Sequence, residues 1–272
     1  MNLKELNKIA IIAARSAGEV IQKNMNDDVE VAIKNNVGSY AAQVVTAVDK
    51  KCEAVIVSYL QPSCKTFDLA LLTEETEDDG SRFEKDFFWC VDPMDGTLSY
   101  INKKPGFAVS IALVAKDGTP YLGVVYDPSR ENLYHAIRGN GVYKNGILFR
   151  MKRSNDHLSY FTDRKLSDTP RRAEIESILD NKTEELNLNR WSEIPGSGAV
   201  MNAIHVLENG PACMFKLPKK DTGGGSIWDY AATACIYKEL GLQATNFEGG
   251  KLDLNRRDGA YMNHEGVFYA NL

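Results

Sequence analysis

No stretch of this chain comes near the roughly 18 consecutive apolar residues that a membrane-spanning helix requires. The opening residues MNLKELNKIAIIAARSAGEV interrupt their apolar positions with charges, so they also lack the continuous apolar core of a secretory leader. The expectation is a cytoplasmic protein without membrane contact. Cysteine is scarce and scattered: Cys52, Cys64, Cys90, Cys213 and Cys235 form no CxxC pair, which speaks against a zinc finger and against a disulfide framework. A surplus of positive charge is missing too. With a formal net charge of -5 the chain has no basic face for a nucleic-acid polymer, and any phosphate it meets belongs to a small molecule.

What remains is an ordinary globular composition. The 43% hydrophobic and 25% charged fractions are those of a folded protein, and 272 residues suffice for one large core or two medium ones. Residues 3–24 place Leu3, Leu6, Ile9, Ala13, Ala17 and Val20 on one helical face, and Asn2 and Glu5 are spaced as a capping box. A weaker helical pattern covers residues 51–60, and a short apolar run at 67–72 predicts a strand ending at Thr73. The apolar run 87–91 predicts a buried strand, which Pro93 should end at Asp92. Residues 108–115, 121–126 and 133–137 alternate with tight turns and predict an antiparallel meander. After about residue 150 comes a polar stretch, then helices near 172–180, from an opening at Gly196 to Gly198 as far as Glu208, and over 227–240 with Gly241 as C-cap. We expect two subdomains, 1–148 with most of the candidate ligands and 149–272 completing the site.

The segment Cys90-Val-Asp-Pro-Met-Asp-Gly-Thr97 carries the most chemistry. Asp92 and Asp95 flank a proline turn and can face one point together with the Met94 carbonyl, an oxygen set that hard divalent cations prefer. Gly96 and Thr97 then open a helix whose free N–H groups favour a phosphate. Read alone, DPxDG is equally a turn cap followed by a helix cap, with no metal. Further acidic groups stand at element ends: Glu74-Glu75, Asp49, and Asp229 beside Trp228. Carboxylates gathered at one place repel, and a cation or a shifted pKa must relieve them.

In order along the chain, LLTEE, WCVDPMDGT, GSG and WDYAA resemble the successive motifs of the inositol monophosphatase family. The resemblance implies an α+β fold, a layered α-β-α-β-α sandwich, and a Mg²⁺-dependent, lithium-sensitive phosphomonoesterase that occurs as monomer or homodimer. Carried over by position, Glu74, Asp92 and the Met94 carbonyl hold one metal, and Asp92, Asp95 and Asp229 a second. Glu74, or the Thr97–Asp49 pair, activates water; Gly96 and Thr97 bind phosphate, and Gly196, Ser197, Lys216 and Asp229 complete the substrate site. Glu75 is either a direct ligand or a supporting partner.

For the substrate, the acidic residue that inositol-specific members carry seven positions before the WD aspartate is replaced by Thr222. Lys216, Lys219 and Lys220 resemble the loop of 3'(2'),5'-bisphosphate nucleotidases, which release phosphate from adenosine 3',5'-bisphosphate to give AMP. The bland reading of those lysines is a solvated loop. The absence of a Lys after Gly-Thr keeps inositol 1-phosphate and sugar phosphates open, and a non-catalytic protein binding metal and phospholigand is the alternative of another class. His135, His157, His205 and His264 have no ligand spacing, and residues 223–225, three glycines, read as a flexible loop without a Walker motif.

Overall fold

Asn2 closes the first turn of α1 (Leu3–Asn24): its side-chain oxygen accepts from the Glu5 N–H at 3.3 Å and its amide donates to the Glu5 carboxylate at 3.2 Å. The structure, a computed structural model, describes residues 1–25, 31–33, 44–151 and 156–272; residues 152–155 of the polar stretch lie outside the described residues. The buried stripe of α1 is Leu6, Ala10, Ala13, Ala14, Ala17 and Ile21, slightly rotated from the expected face, so that Leu3, Ile9 and Val20 sit at its margin.

A short antiparallel pair, β1 (Val31–Ile33) and β2 (Val44–Thr46), leads into α2 (Ala47–Phe67). This helix extends past the expected strand start. Phe67 ends it, Asp68 turns the chain at φ 53°, and β3 occupies only Ala70–Thr73. A short apolar run carries no period of its own, and here its first residue completes the helix face that packs near Trp89. β4 (Phe87–Asp95) likewise runs beyond the expected end at Asp92. The register with its neighbour slips between Asp92 and Asp95, and Pro93 lies in that bulge, where a missing ladder N–H costs nothing.

The single-turn helix α3 (Thr97–Ile101) follows, then β5 (Ala108–Ala115), β6 (Pro120–Asp127), β7 (Asn132–Ile137), β8 (Val142–Lys144) and β9 (Ile147–Leu148). Strands β3 to β9 form one sheet in sequence order, with β3 parallel to β4 and every later pair antiparallel, the meander the turns imply. The second sheet uses β10 (Leu158–Thr162), α4 (Arg172–Glu185), β11 (Trp191–Pro195), α5 (Ala199–Glu208), β12 (Ala212–Lys216), α6 (Ile227–Glu239), β13 (Gln243–Thr245) and β14 (Val267–Asn271). Its strand order is β11-β10-β12-β14-β13. β10 is parallel to both neighbours because helices carry the chain back between them.

Strand alternation sorts the side chains into layers. On one face of the first sheet Trp89, Val91, Val109 and Ile111 pack against α1 and α2, and on the other Phe88, Cys90, Ala112 and Val114 pack against α5 and α6. The far face of the second sheet, with Tyr160, Cys213 and Phe215, is covered by Ile175 and Leu179 of α4. The result is the α-β-α-β-α sandwich. Each large side chain fully buried this way contributes about 2 to 3 kcal/mol, and the Trp89 indole, with its N–H donating to Ser63 Oγ at 2.9 Å, buries no unpaired donor. All five cysteines are free thiols, and among the described residues no helix is long and apolar enough to cross a membrane.

Candidate active site

The parallel pairing of β3 and β4 brings two carboxylates to one sheet end. The Glu74 N–H donates to the Val91 carbonyl at 3.2 Å, so Glu74 stands beside Asp92 across the strand pair. Asp92 is 1% exposed; its Oδ1 accepts from the Met94 N–H at 3.0 Å, and its Oδ2 has no hydrogen-bond partner among the described residues. The β-bulge then swings Asp95 toward the second sheet, where its carboxylate accepts from the N–H groups of Ala199 at 3.2 Å and Val200 at 2.8 Å. It therefore caps α5, whose own Gly198 has no side chain to do so. Asp229, in the first turn of α6, accepts from the Ser226 N–H.

One oxygen each of Asp92, Asp95 and Asp229 lies within 4.8 Å of the others. Burial first, and then Glu74, Asp229 and Asp95, drive the Asp92 pKa well above the carboxylate range. Asp95 is pushed up by burial and Asp229 against the opposing pull of its two backbone donors. Both directions point to an unmet demand for positive charge. An all-oxygen cluster with a buried, unpartnered oxygen fits a hard divalent cation, which would stabilise the ionised forms that burial and repulsion now penalise.

Beside the cluster, the Thr97 hydroxyl lies 3.2 Å from Asp49 Oδ1 and 3.3 Å from the Met94 carbonyl oxygen. Asp49 is buried in the first turn of α2, where the helix N-terminus favours its charge. Gly96 takes φ 84°, and a Cβ there would come within 2.5 Å of the Gly106 carbonyl oxygen. Only glycine lets the turn close. Gly198 is equally constrained, since a Cβ would fall 2.2 Å from Asp95 Oδ2. The sequence marked Gly198 as a helix opening and gave no sign of this contact.

Glu74, Asp92, Met94, Asp95, Gly96, Thr97 and Asp229 all line one cavity of about 770 Å³. Ser197 lines it as well, whereas Gly196 does not; its carbonyl accepts from Ser99 Oγ at 3.0 Å and braces α3 from behind. The far end is basic. Lys216 and Lys219 line it with Arg164 and Arg171, while Lys220 is exposed and does not line it. Lys216 pairs with Asp163 at 2.8 Å, a partner the sequence reading missed because it arrives from the end of β10. Burial pushes Asp163 up, but Lys216 and Arg164 outweigh it and hold the carboxyl at about 2. Desolvation, then Arg164 and Lys216, lower the Lys219 pKa.

The lysine loop leaves Lys219 and Lys220 exposed, as the solvated reading expects, on a held backbone: the Lys219 N–H donates to the Asn263 carbonyl at 2.8 Å and the Asn263 amide donates to the Lys219 carbonyl at 3.1 Å. The flexible reading of the glycine loop is corrected. The three-glycine loop is also held, by the Tyr230 hydroxyl donating to the Gly224 carbonyl at 2.9 Å and the Met262 N–H donating to the Gly225 carbonyl at 3.0 Å. Its glycines are needed for positive φ, as at Gly225 with 102°, where a Cβ would strike the Tyr230 hydroxyl. No histidine lines the cavity. His135 meets the Asn7 amide and His205 stacks on Phe161, both remote from the carboxylates.

Comparison with known proteins gives a consistent picture. The model of the inositol monophosphatase family matches residues 2–271. The Nus factor SuhB of Salmonella typhimurium is 40% identical over 252 residues, covering 89% of this chain and 85% of that protein. Inositol monophosphatase 1 of Solanum lycopersicum is 30% identical over 258 residues, covering 93% and 88%. Among solved structures, inositol monophosphate-bound SaIMPase-II of Staphylococcus aureus is 25% identical, with a TM-score of 0.68 over 97% of this chain and 89% of that one.

Proposed function

The chain belongs to the inositol monophosphatase family and is a phosphomonoester hydrolase; from that premise we propose that its Mg²⁺-dependent active centre is the acidic end of the cavity. The observation that carries this reading is the triad Asp92, Asp95 and Asp229, with one Asp92 oxygen buried and unpartnered, beside the Thr97–Asp49 pair. Glu74, Asp92 and the Met94 carbonyl would hold one cation, and Asp92, Asp95 and Asp229 a second. When bound, the cations lower the pKa of water and neutralise charge on the phosphoryl and leaving oxygens.

The residues themselves orient the reactants. Thr97 Oγ1, by donating to Asp49, is left to accept a hydrogen bond from a water, and as that water attacks its proton would pass to Thr97 Oγ1 while the Thr97 proton passes to the Asp49 carboxylate. The Gly96–Thr97 turn offers unpaired N–H groups of α3 to the phosphate. Ser197 and Asp229 border the ester side of the cavity and Lys216 its far wall. No protein nucleophile takes part. We place the division between subdomains at residue 148, the end of the first sheet, and expect inhibition by lithium, a cytoplasmic setting, and a monomer or homodimer.

For the substrate we propose an inositol monophosphate, one of two ligands named for SaIMPase-II, the other being 2'AMP. A specific observation favours a second reading, a 3',5'-bisphosphate nucleotide: Lys216, Lys219, Arg164 and Arg171 all line the cavity, where a second phosphate would find cations. Phosphate release with Mg²⁺ from inositol 1-phosphate, adenosine 3',5'-bisphosphate and fructose 1,6-bisphosphate separates them. We expect the highest kcat/KM on the inositol ester; preference for the nucleotide establishes the second reading, and no release from any of them, with or without Mg²⁺, overturns the function.

A further inference from the structure

Glu74 follows a four-residue strand and opens an exposed acidic loop, so its side chain needs support from outside the sheet. Support reaches its backbone from two sides. On one, the Glu74 N–H is bonded to β4. On the other, Glu53 Oε2 accepts from the Glu75 N–H at 2.9 Å and Glu53 Oε1 accepts from the Thr76 hydroxyl at 2.5 Å. Glu53 is 8% exposed, does not line the cavity, and makes no ion pair among the described residues.

Its position on α2 explains the arrangement. Asp49 and Glu53 are four residues apart, so they share one helix face. Asp49 grips the turn after β4 through Thr97, and Glu53 grips the turn after β3 through Glu75 and Thr76. One rigid helix thus fixes the spacing between the two loops that carry the candidate metal ligands. We propose that Glu53 is a positioning residue that sets the Glu74 carboxylate for the cation, a role that rests on the metal site described above. It works by geometry. A buried carboxylate with both oxygens engaged by the loop fixes that loop, and partners of this kind are worth about 10- to 100-fold in metal affinity.

The test is Mg²⁺ binding to the metal-free protein by titration calorimetry, with folding checked by circular dichroism. Glu53→Ala should weaken Mg²⁺ binding about tenfold or more. Glu53→Gln should bind Mg²⁺ like the parent, because its oxygen can accept from Glu75 N–H while its amide donates to the Thr76 hydroxyl, which reverses its direction. Thr76→Ala alters an exposed side chain and should weaken binding about threefold, even if Glu53→Ala fails to fold. Parent-like binding in folded Glu53→Ala, parent-like binding in Thr76→Ala, or equal loss in Glu53→Gln and Glu53→Ala, overturns the proposal. Asp92→Asn serves as the reference: if it too binds Mg²⁺ like the parent, the metal site itself is misplaced, whereas its loss with unchanged Glu53 variants rejects the positioning role alone.

Discussion

The two ends of the cavity manage charge in opposite ways. At the acidic end like charges are buried together, Asp92 and Asp95 are driven toward their protonated forms, and one oxygen is left without a partner. At the basic end the charges answer one another: Lys216 pairs with Asp163, Arg171 pairs with Glu174, and the Asp163 carboxyl is held at about 2. The first end is incomplete by itself and demands a cation. The second is already balanced, with Asp221 and Asp163 acting on Lys219, and so can only adjust which ester sits well. Chemistry should therefore fail when the acidic end is altered, and selectivity should shift when the basic end is.

The largest effect expected is on turnover. Asp92→Asn and Asp95→Asn should each lower kcat/KM with Mg²⁺ on the order of a thousandfold, since a missing ligand removes several kcal/mol of charge stabilisation from the transition state. Steady-state phosphate release at saturating Mg²⁺ measures it. A variant within about tenfold of the parent would mean that the acidic end is not the reacting end.

A smaller effect separates these two aspartates in metal-free protein. Asp92 loses only repulsion and one turn contact when neutralised, whereas Asp95 also gives up part of its cap on α5. Asp92→Asn should raise Tm in chelator by a few degrees, at roughly 2 to 4 °C per kcal/mol, and Asp95→Asn by less. The pH dependence has a definite sign. The folded pKa of Asp92 lies above its unfolded value of about 3.9, so the stability gained from its protonated form is complete below about 4 and is lost as pH rises through the raised pKa. Metal-free parent should lose Tm as pH rises above about 4 more steeply than Asp92→Asn; equal slopes would remove the buried repulsion from the account.

The smallest effect belongs to the basic end. Lys219→Glu should change KM by about tenfold for a bisphosphate nucleotide and by less than about twofold for inositol 1-phosphate, a charge-assisted contact being worth about 1.5 kcal/mol or more only where the second phosphate is present. Lys220→Glu, outside the cavity, should leave both unchanged. If Lys220→Glu matches Lys219→Glu, the far wall acts only through long-range charge.

How much of this could be read in the sequence follows from distance along the chain. The Asp92–Asp95 pair and the capping box of α1 are local patterns, and they are found where their spacing places them. Asp229 was identifiable only through the motif order, because nothing in WDYAA states what it will face. The end of β4 was misjudged since Pro93 tells only that its own N–H is missing; that a bulge accepts this is a property of β5. The same holds for Gly198, Asp163 and Asn263. Each acts on a partner far along the chain, and residue type and period carry no trace of the encounter.

The bonds from Asp95 to the start of α5 also bear on synthesis. Glu74, Asp92 and Asp95 leave the ribosome well before Ala199 and Val200, which orient Asp95, and before Asp229, which completes the triad. A nascent chain halted after the first sheet would hold three of the carboxylates without the parts that make them a chelating set. High-affinity cation capture at this site would then wait until α6 has emerged and docked, so a cation bound there would serve as a late seal and not as a nucleus for folding.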